Sequence, residues 1–315
     1  MINTTTNFHL LLMKKNKNRI IRVGLMIVSM LLLFFTSGCK DAMSQNKTNG
    51  VKGKLHVYKS IVKDTFLISK IAQDTLGFKI YKPARMSEQK HPVLFMMHGH
   101  GGNHYDWFDV KKGNLQHTLD SLVVLKKIPP LVALSIDAKN SWYVDHDSLK
   151  MEHIFMKEFI PFVKKYFGET IDNKHINLVG NSMGGYGALN YALKYPESFK
   201  NIILLAPAAY KPLPPKISSS RKIPVFKKDA VFNDSLWNYH LYSSIKLLKD
   251  KSIYPKFYLS TGDDDEFDIF SVVVQLNSYF QKEALENEVT VINGKHEWKV
   301  WRSCFKQDVV RLFEN

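Results

Sequence analysis

The chain predicts an α/β fold built on one mostly parallel sheet with helices on both faces. Short, continuous apolar runs recur at 92–97, 131–136, 176–179, 201–206, 256–260 and 289–292, and such runs suit strands buried on both faces. Patterns of helical period fill the gaps at 114–126, 149–167, 184–195 and 268–286, the alternation of a doubly wound sheet. The segments richest in reactive side chains all fall just beyond the carboxyl ends of the runs, where such sheets bind ligands.

Taken in order, the chain opens on a targeting segment. Lys14, Lys15, Lys17, Arg19 and Arg22 form a basic stretch, and residues 23–35 are uncharged, too short to span a membrane as a helix but right for a signal sequence. Thr36-Ser37-Gly38-Cys39 follows. Small residues before a cysteine resemble the lipobox of bacterial lipoproteins, in which the peptide is cut before a lipidated cysteine; Thr36 departs from the usual Leu or Val. The resemblance implies lipidation of Cys39 and a signal peptide over 1–38, the alternatives being a plain signal peptide or an uncleaved anchor. Residues 39–53 are polar and aperiodic and read as a flexible tether, leaving 54–315 as the α/β domain. Runs at 55–60, 65–71 and 77–81 suggest an antiparallel entry to the sheet. Residues 208–252 lie between two strands, are long for a crossover, and carry Pro212, Pro214, Pro215, Pro224, Trp237, Tyr239 and Tyr242; they read as a substrate-contacting cap or as a padded surface crossover. The C-terminal pattern Trp301, Phe305, Val309, Leu312 is helical, and Cys304 within it reads as a small packed residue.

Composition bounds the partners. The 315 residues are 45% hydrophobic and 23% charged, a globular profile. The formal charge is +15 from 44 basic and 29 acidic side chains. The five basic residues before Cys39 stand among no acids, so +10 remains beyond it. The charge is spread along the chain and no nucleic-acid-binding motif accompanies it; anionic envelope surfaces or acidic polysaccharide suit it better. If Cys39, one of two cysteines, carries lipid, Cys304 has no intrachain disulfide partner.

The chemistry gathers at four strand ends. Gly180-Asn181-Ser182-Met183-Gly184 follows the run at 176–179 and precedes a helical pattern. Strand, tight turn and helix make G-x-S-x-G a nucleophile elbow that lifts the Ser182 hydroxyl above the sheet. A serine nucleophile needs a base, and an acid to orient the base. Downstream of Ser182 stand only His240, inside 208–252, and His296, just after the last strand; His296 is the base this order selects. The acid belongs after the preceding strand, in Thr261-Gly262-Asp263-Asp264-Asp265-Glu266, and position alone leaves open which carboxylate reaches His296. Two N–H groups must face the developing oxyanion. One is that of Met183; the other belongs to the loop after an early strand, here His98-Gly99-His100-Gly101-Gly102. His98, His100 and His104 invite a metal, but no acid or cysteine ligand stands at a usual spacing, so neither metal nor cofactor is expected.

These residues carry a family resemblance. His98–Gly102 with Asp106-Trp107, Gly180–Gly185, Gly262–Asp265, and His296-Glu297-Trp298 with Trp301 together resemble the esterase D/feruloyl esterase family of α/β-hydrolases over roughly residues 55–315. The resemblance implies the α/β-hydrolase fold and ester hydrolysis. It implies Asp265 as the acid, three residues after the glycine ending its strand, with Asp264 next, and His100 as the second oxyanion donor through its backbone. Asn181 replaces the Leu common before the serine, and 208–252 has no matching motif; both departures bear on substrate choice. The expectation is a serine esterase of the bacterial envelope, lipid-anchored and acting on feruloyl or acetyl esters of polysaccharide. Siderophore ester cleavage, acyl transfer to a sugar, and a catalytically silent glycan-binding lipoprotein are the alternatives.

Overall fold

The computed structural model describes residues 58–314. The signal peptide, the tether, Cys39 and the first residues of the 54–315 domain lie outside the described residues.

Eight strands form one sheet: β1 (Ser60–Ser69), β2 (Asp74–Pro83), β3 (His91–Met97), β4 (Val132–Ile136), β5 (Ile171–Asn181), β6 (Asn201–Leu205), β7 (Lys256–Gly262) and β8 (Asn287–Ile292). Their spatial order is β1-β2-β4-β3-β5-β6-β7-β8. β1 pairs antiparallel with β2, and β2 with β4; from β4 to β8 every pairing is parallel. The mostly parallel sheet is therefore as the sequence predicts. Every residue of β3, β4 and β6 is buried, which explains their unbroken apolar runs.

The amino-terminal edge differs from the reading. The run at 65–71 belongs to one ten-residue strand, β1, that starts at Ser60. Lys63 and Asp64 lie between the runs at 55–60 and 65–71 and inside this strand, since polar residues do not break an edge strand with a solvent-facing side. Asp64 lies directly opposite Lys79, whose ammonium is 2.7 Å from its carboxylate, an ordinary cross-strand pair.

The helices are α1 (Leu115–Val124), α2 (Met151–Ile154 and Ile160–Phe167 with the π-turn Phe155–Phe159 between them), α3 (Met183–Lys194), α4 (Asp234–Tyr239), α5 (Ile269–Lys282) and α6 (Trp298–Arg311). The π-turn in α2 adjoins Pro161, which has no N–H to donate and clashes with the carbonyl four residues back; a π-turn is one way a helix absorbs that defect. The predicted start at 149 is also corrected: Leu149–Lys150 pairs with Asp145–His146 as a short hairpin before α2 begins. All residues from Met183 to Leu193 in α3 are buried, as for a helix apolar on every side.

β3 connects to β4 on one side, and the chain then returns to β5 on the other. The loops after β3 and β5 thus leave neighbouring strands at the point where the winding reverses, where a crevice opens.

Residues 208–252 are neither a loose crossover nor a separate lid. They hold a small hairpin, Lys227–Lys228 with Val231–Phe232, and α4, capped by the Asn233 side chain accepting from the Leu236 N–H at 2.9 Å. Phe226 and Trp237 are fully buried, with Trp237 stacked on Tyr186 of α3 at 5.5 Å and edge-on to Trp142 at 6.0 Å. The Tyr186 hydroxyl donates to the His240 carbonyl at 2.6 Å. The insertion is an added layer of core above the carboxyl ends of the strands.

Candidate active site

The elbow explains its own glycines. A Cβ at Gly180 would sit 2.2 Å from the Gly184 carbonyl oxygen, and one at Gly184 would sit 2.2 Å from that of Met97. Strand and helix approach so closely that no side chain fits. Ser182 between them adopts φ 52° and ψ −114°, a conformation that costs a non-glycine residue about 1–3 kcal/mol. Three backbone bonds hold it there: Ser182 N–H to Leu205 O (2.9 Å), and the N–H groups of Tyr186 (3.0 Å) and Ala208 (3.1 Å) to Ser182 O.

The chain brings Ser182, His296 and Asp265 together. The Ser182 Oγ–H lies 2.9 Å from His296 Nε2, and His296 Nδ1 lies 2.6 Å from Asp265 Oδ2. Nδ1–H donates to the carboxylate and keeps its proton, so Nε2 is left as the acceptor for the serine hydroxyl. The imidazole is packed edge-on by Phe267 and Trp301, each at 5.0 Å. Asp265 has no exposed side-chain surface, and its other oxygen accepts the Phe267 N–H at 3.0 Å. The remaining acids are placed otherwise. Asp263 accepts the Gly294 N–H at 3.0 Å, Glu266 accepts the His296 N–H at 3.2 Å, and Asp264 is exposed. The arrangement can remove a proton from Ser182 and hold the resulting imidazolium against a buried carboxylate. His240 takes no part in this chain of bonds; its carbonyl accepts from Tyr186 and Asn190 of α3.

Met183 opens α3, so its N–H has no intrahelical acceptor. Neither it nor the His100 N–H is spent on a protein acceptor among the described residues. His100 lines the cleft. Burial, and then Lys222, hold its imidazole below the usual histidine range. The neighbouring peptide is fixed from a loop the sequence did not single out. Asn140, after β4, accepts the Gly101 N–H at 2.7 Å, where Gly101 has φ +73°. His98 is fully buried and accepts the Ala138 N–H through Nε2 at 3.0 Å, so Nδ1 carries the proton donated to Gly99 O at 2.9 Å. The Tyr143 hydroxyl donates to His98 O at 3.3 Å. Both His98 nitrogens are thus occupied within the protein, and the ring works as a latch between the loops after β3 and β4.

The cleft over Ser182 holds about 520 Å³. Its walls include Trp142, Trp298, Trp301 and Phe267 and, from the insertion, Tyr210 and Ile217. Lys112 also lines it and donates to the largely buried Asp106 at 2.8 Å. Lys112, Trp142 and Tyr210 went unremarked in the sequence; no local pattern marks them, and only the fold brings them to one opening. Cys304 is buried in α6, as expected of a packed residue, and burial pushes its thiol up to about 12.

The fold alone does not fix an activity; the family match makes the chain a carboxylic ester hydrolase. The chain belongs to the family described as "Putative esterase", whose model matches residues 69–312. An acetyl esterase of Caldicellulosiruptor saccharolyticus is 25% identical over 269 residues, covering 77% of this chain and 90% of that one. An endo-1,4-β-xylanase/feruloyl esterase of Xylanibacter ruminicola is 23% identical over 240 residues, 74% of this chain but 28% of the relative's length. A solved ferulic acid esterase shares the fold with a TM-score of 0.67 at 21% identity, over 81% of this chain and 98% of that one.

Proposed function

We propose that the protein is a serine esterase that removes acyl groups, feruloyl or acetyl, from polysaccharide. The observation that carries this is the continuous chain Asp265–His296–Ser182 opening into the aromatic-walled cleft. His296 takes the Ser182 proton as the serine attacks the ester carbonyl. The N–H groups of Met183 and His100 face the oxyanion, and His296 returns the proton to the leaving alcohol. Water activated by the same imidazole then releases the acid, while Asp265 holds the tautomer. The names of the acetyl esterase and xylanase/feruloyl esterase relatives support a glycan ester. The cleft volume and its tryptophans favour a bulky aromatic acyl group over acetyl alone. The sequence features at 14–39 support export and a lipid anchor at Cys39 in a bacterial envelope, where polysaccharide esters are within reach.

Ser182→Ala tests the mechanism. Turnover of p-nitrophenyl acetate and of methyl ferulate is expected to fall by about 10⁴-fold or more, with the melting temperature little changed, because alanine keeps the Cβ and therefore the same backbone strain. Retained turnover would remove Ser182 from its role. A wild-type screen of released acid from feruloylated and acetylated xylo-oligosaccharides then ranks the two acyl groups.

A further inference from the structure

A second hollow adjoins the cleft. It holds about 170 Å³ and shares two walls with it, Tyr210 and Phe267. We propose that this hollow is a subsite for a sugar ring of the glycan, next to the sugar whose ester is presented to Ser182; the proposal rests on the polysaccharide esterase reading above.

The chain geometry ties the hollow to the reacting groups. One short turn after β7 carries Asp265 against His296, then Phe267 against the same imidazole at 5.0 Å, then Asp268 into the wall of the hollow. The turn is closed by Asp268 N–H to Asp265 O at 2.9 Å. On the other side, Tyr210 is held by its carbonyl, which accepts the Trp237 indole N–H at 3.0 Å. Phe267 and Tyr210 thus stand as a partition between the Ser182 cleft and the hollow, and a substrate passing over it reaches both.

The lining suits a pyranose. Sugar rings present apolar C–H faces to aromatic rings and hydroxyl groups to planar or charged polar side chains. Tyr210 and Phe267 offer the first; Lys211, Asp268, Ser271 and Gln275 offer the second. Asp268 accepts the Ser271 hydroxyl on one oxygen at 2.6 Å, and neither Lys211 nor Asp268 forms an ion pair among the described residues, so the Lys211 ammonium and the second Asp268 oxygen remain as donor and acceptor for hydroxyl groups. Lys211 and Gln275 are exposed, as a site filled from solvent requires. Leu213, Pro215 and Val272 complete the wall and add apolar surface for the C–H face of a ring.

The test compares feruloylated xylo-oligosaccharides of increasing length with methyl ferulate, in wild type, Ser271→Trp and Lys211→Ala/Gln275→Ala. The readout is the ratio of kcat/KM on the glycan ester to that on methyl ferulate, which cancels any general damage to the Ser182 cleft. In wild type the ratio is expected to rise about tenfold as sugars are added, carried by KM. Ser271→Trp fills the hollow and should abolish the rise; the double alanine variant should reduce it. A ratio that does not grow with chain length, or grows equally in the variants, overturns the subsite while the esterase reading stands. Turnover of methyl ferulate with none on any glycan ester overturns both the subsite and the polysaccharide part of the reading, while the ester hydrolysis stands.

Discussion

At the residue scale, the site is a set of side chains held by bonds from different strand ends, and the small ones matter as much as the reactive ones. Asn140 is the clearest case. Its carboxamide fixes the Gly101 N–H at 2.7 Å, one peptide beyond the His100 N–H assigned to the oxyanion. Without that bond the loop after β3 is free to turn the N–H away from the carbonyl oxygen. Losing an oxyanion donor outright costs about 10²–10³ in kcat, so Asn140→Ala, which loosens one, is expected to lower kcat about tenfold on p-nitrophenyl acetate with KM little changed. A change in KM alone would make Asn140 a substrate contact rather than a positioning residue. Ser182 and His296 were legible in the sequence because their neighbours announce a turn and a strand end. The acid was not legible from position, since Asp263, Asp264 and Asp265 all follow β7 and only the fold shows which carboxylate turns inward. Asn140 was invisible, because its bond joins residues 39 apart with no local signature.

At the element scale, the alternation of strands and helices was readable because two-sided burial leaves unbroken apolar runs. What escaped were features decided by partners: the single long β1, whose polar middle is paired to β2, and the π-turn beside Pro161. The packing of α6 on β7 is another. There Asp308, with no exposed surface, accepts the Ser260 hydroxyl at 2.5 Å and pairs with Arg311 at 3.0 Å. Burial pushes its carboxyl up to about 6, against the opposing pull of Ser260 and Arg311. A carboxyl raised above its unfolded value binds its proton more tightly when folded. Its contribution to stability is therefore full below about pH 4 and lost as pH rises through about 6. Asp308→Asn has no proton to lose. The melting temperature of wild type minus that of Asp308→Asn is thus expected to fall between about pH 4 and about pH 7. A difference that stays flat or rises would mean that Arg311 holds Asp308 ionised throughout.

At the scale of the whole molecule, the remaining question is how an esterase domain carrying +10 beyond Cys39 is delivered to its substrate. The basic stretch before residue 23, the short apolar run and the small residues before Cys39 propose export and acylation, and two or more acyl chains make attachment stable where one does not. Fractionation alone does not test this. A Cys39→Ala chain that escapes cleavage keeps residues 23–35 and can stay on the membrane through them. Incorporation of an alkyne-tagged fatty acid does discriminate. The wild-type chain should be labelled and the Cys39→Ala chain should not, with turnover of p-nitrophenyl acetate per molecule unchanged. The control is internal, since the only other cysteine is Cys304. It is buried in α6 with its thiol pushed up to about 12, so it is neither accessible to an acyl donor nor ionised enough to attack one. Label that survives in Cys39→Ala would place the acyl group elsewhere on the chain, and an unlabelled wild type would leave a plain signal peptide or an uncleaved anchor to account for residues 1–38.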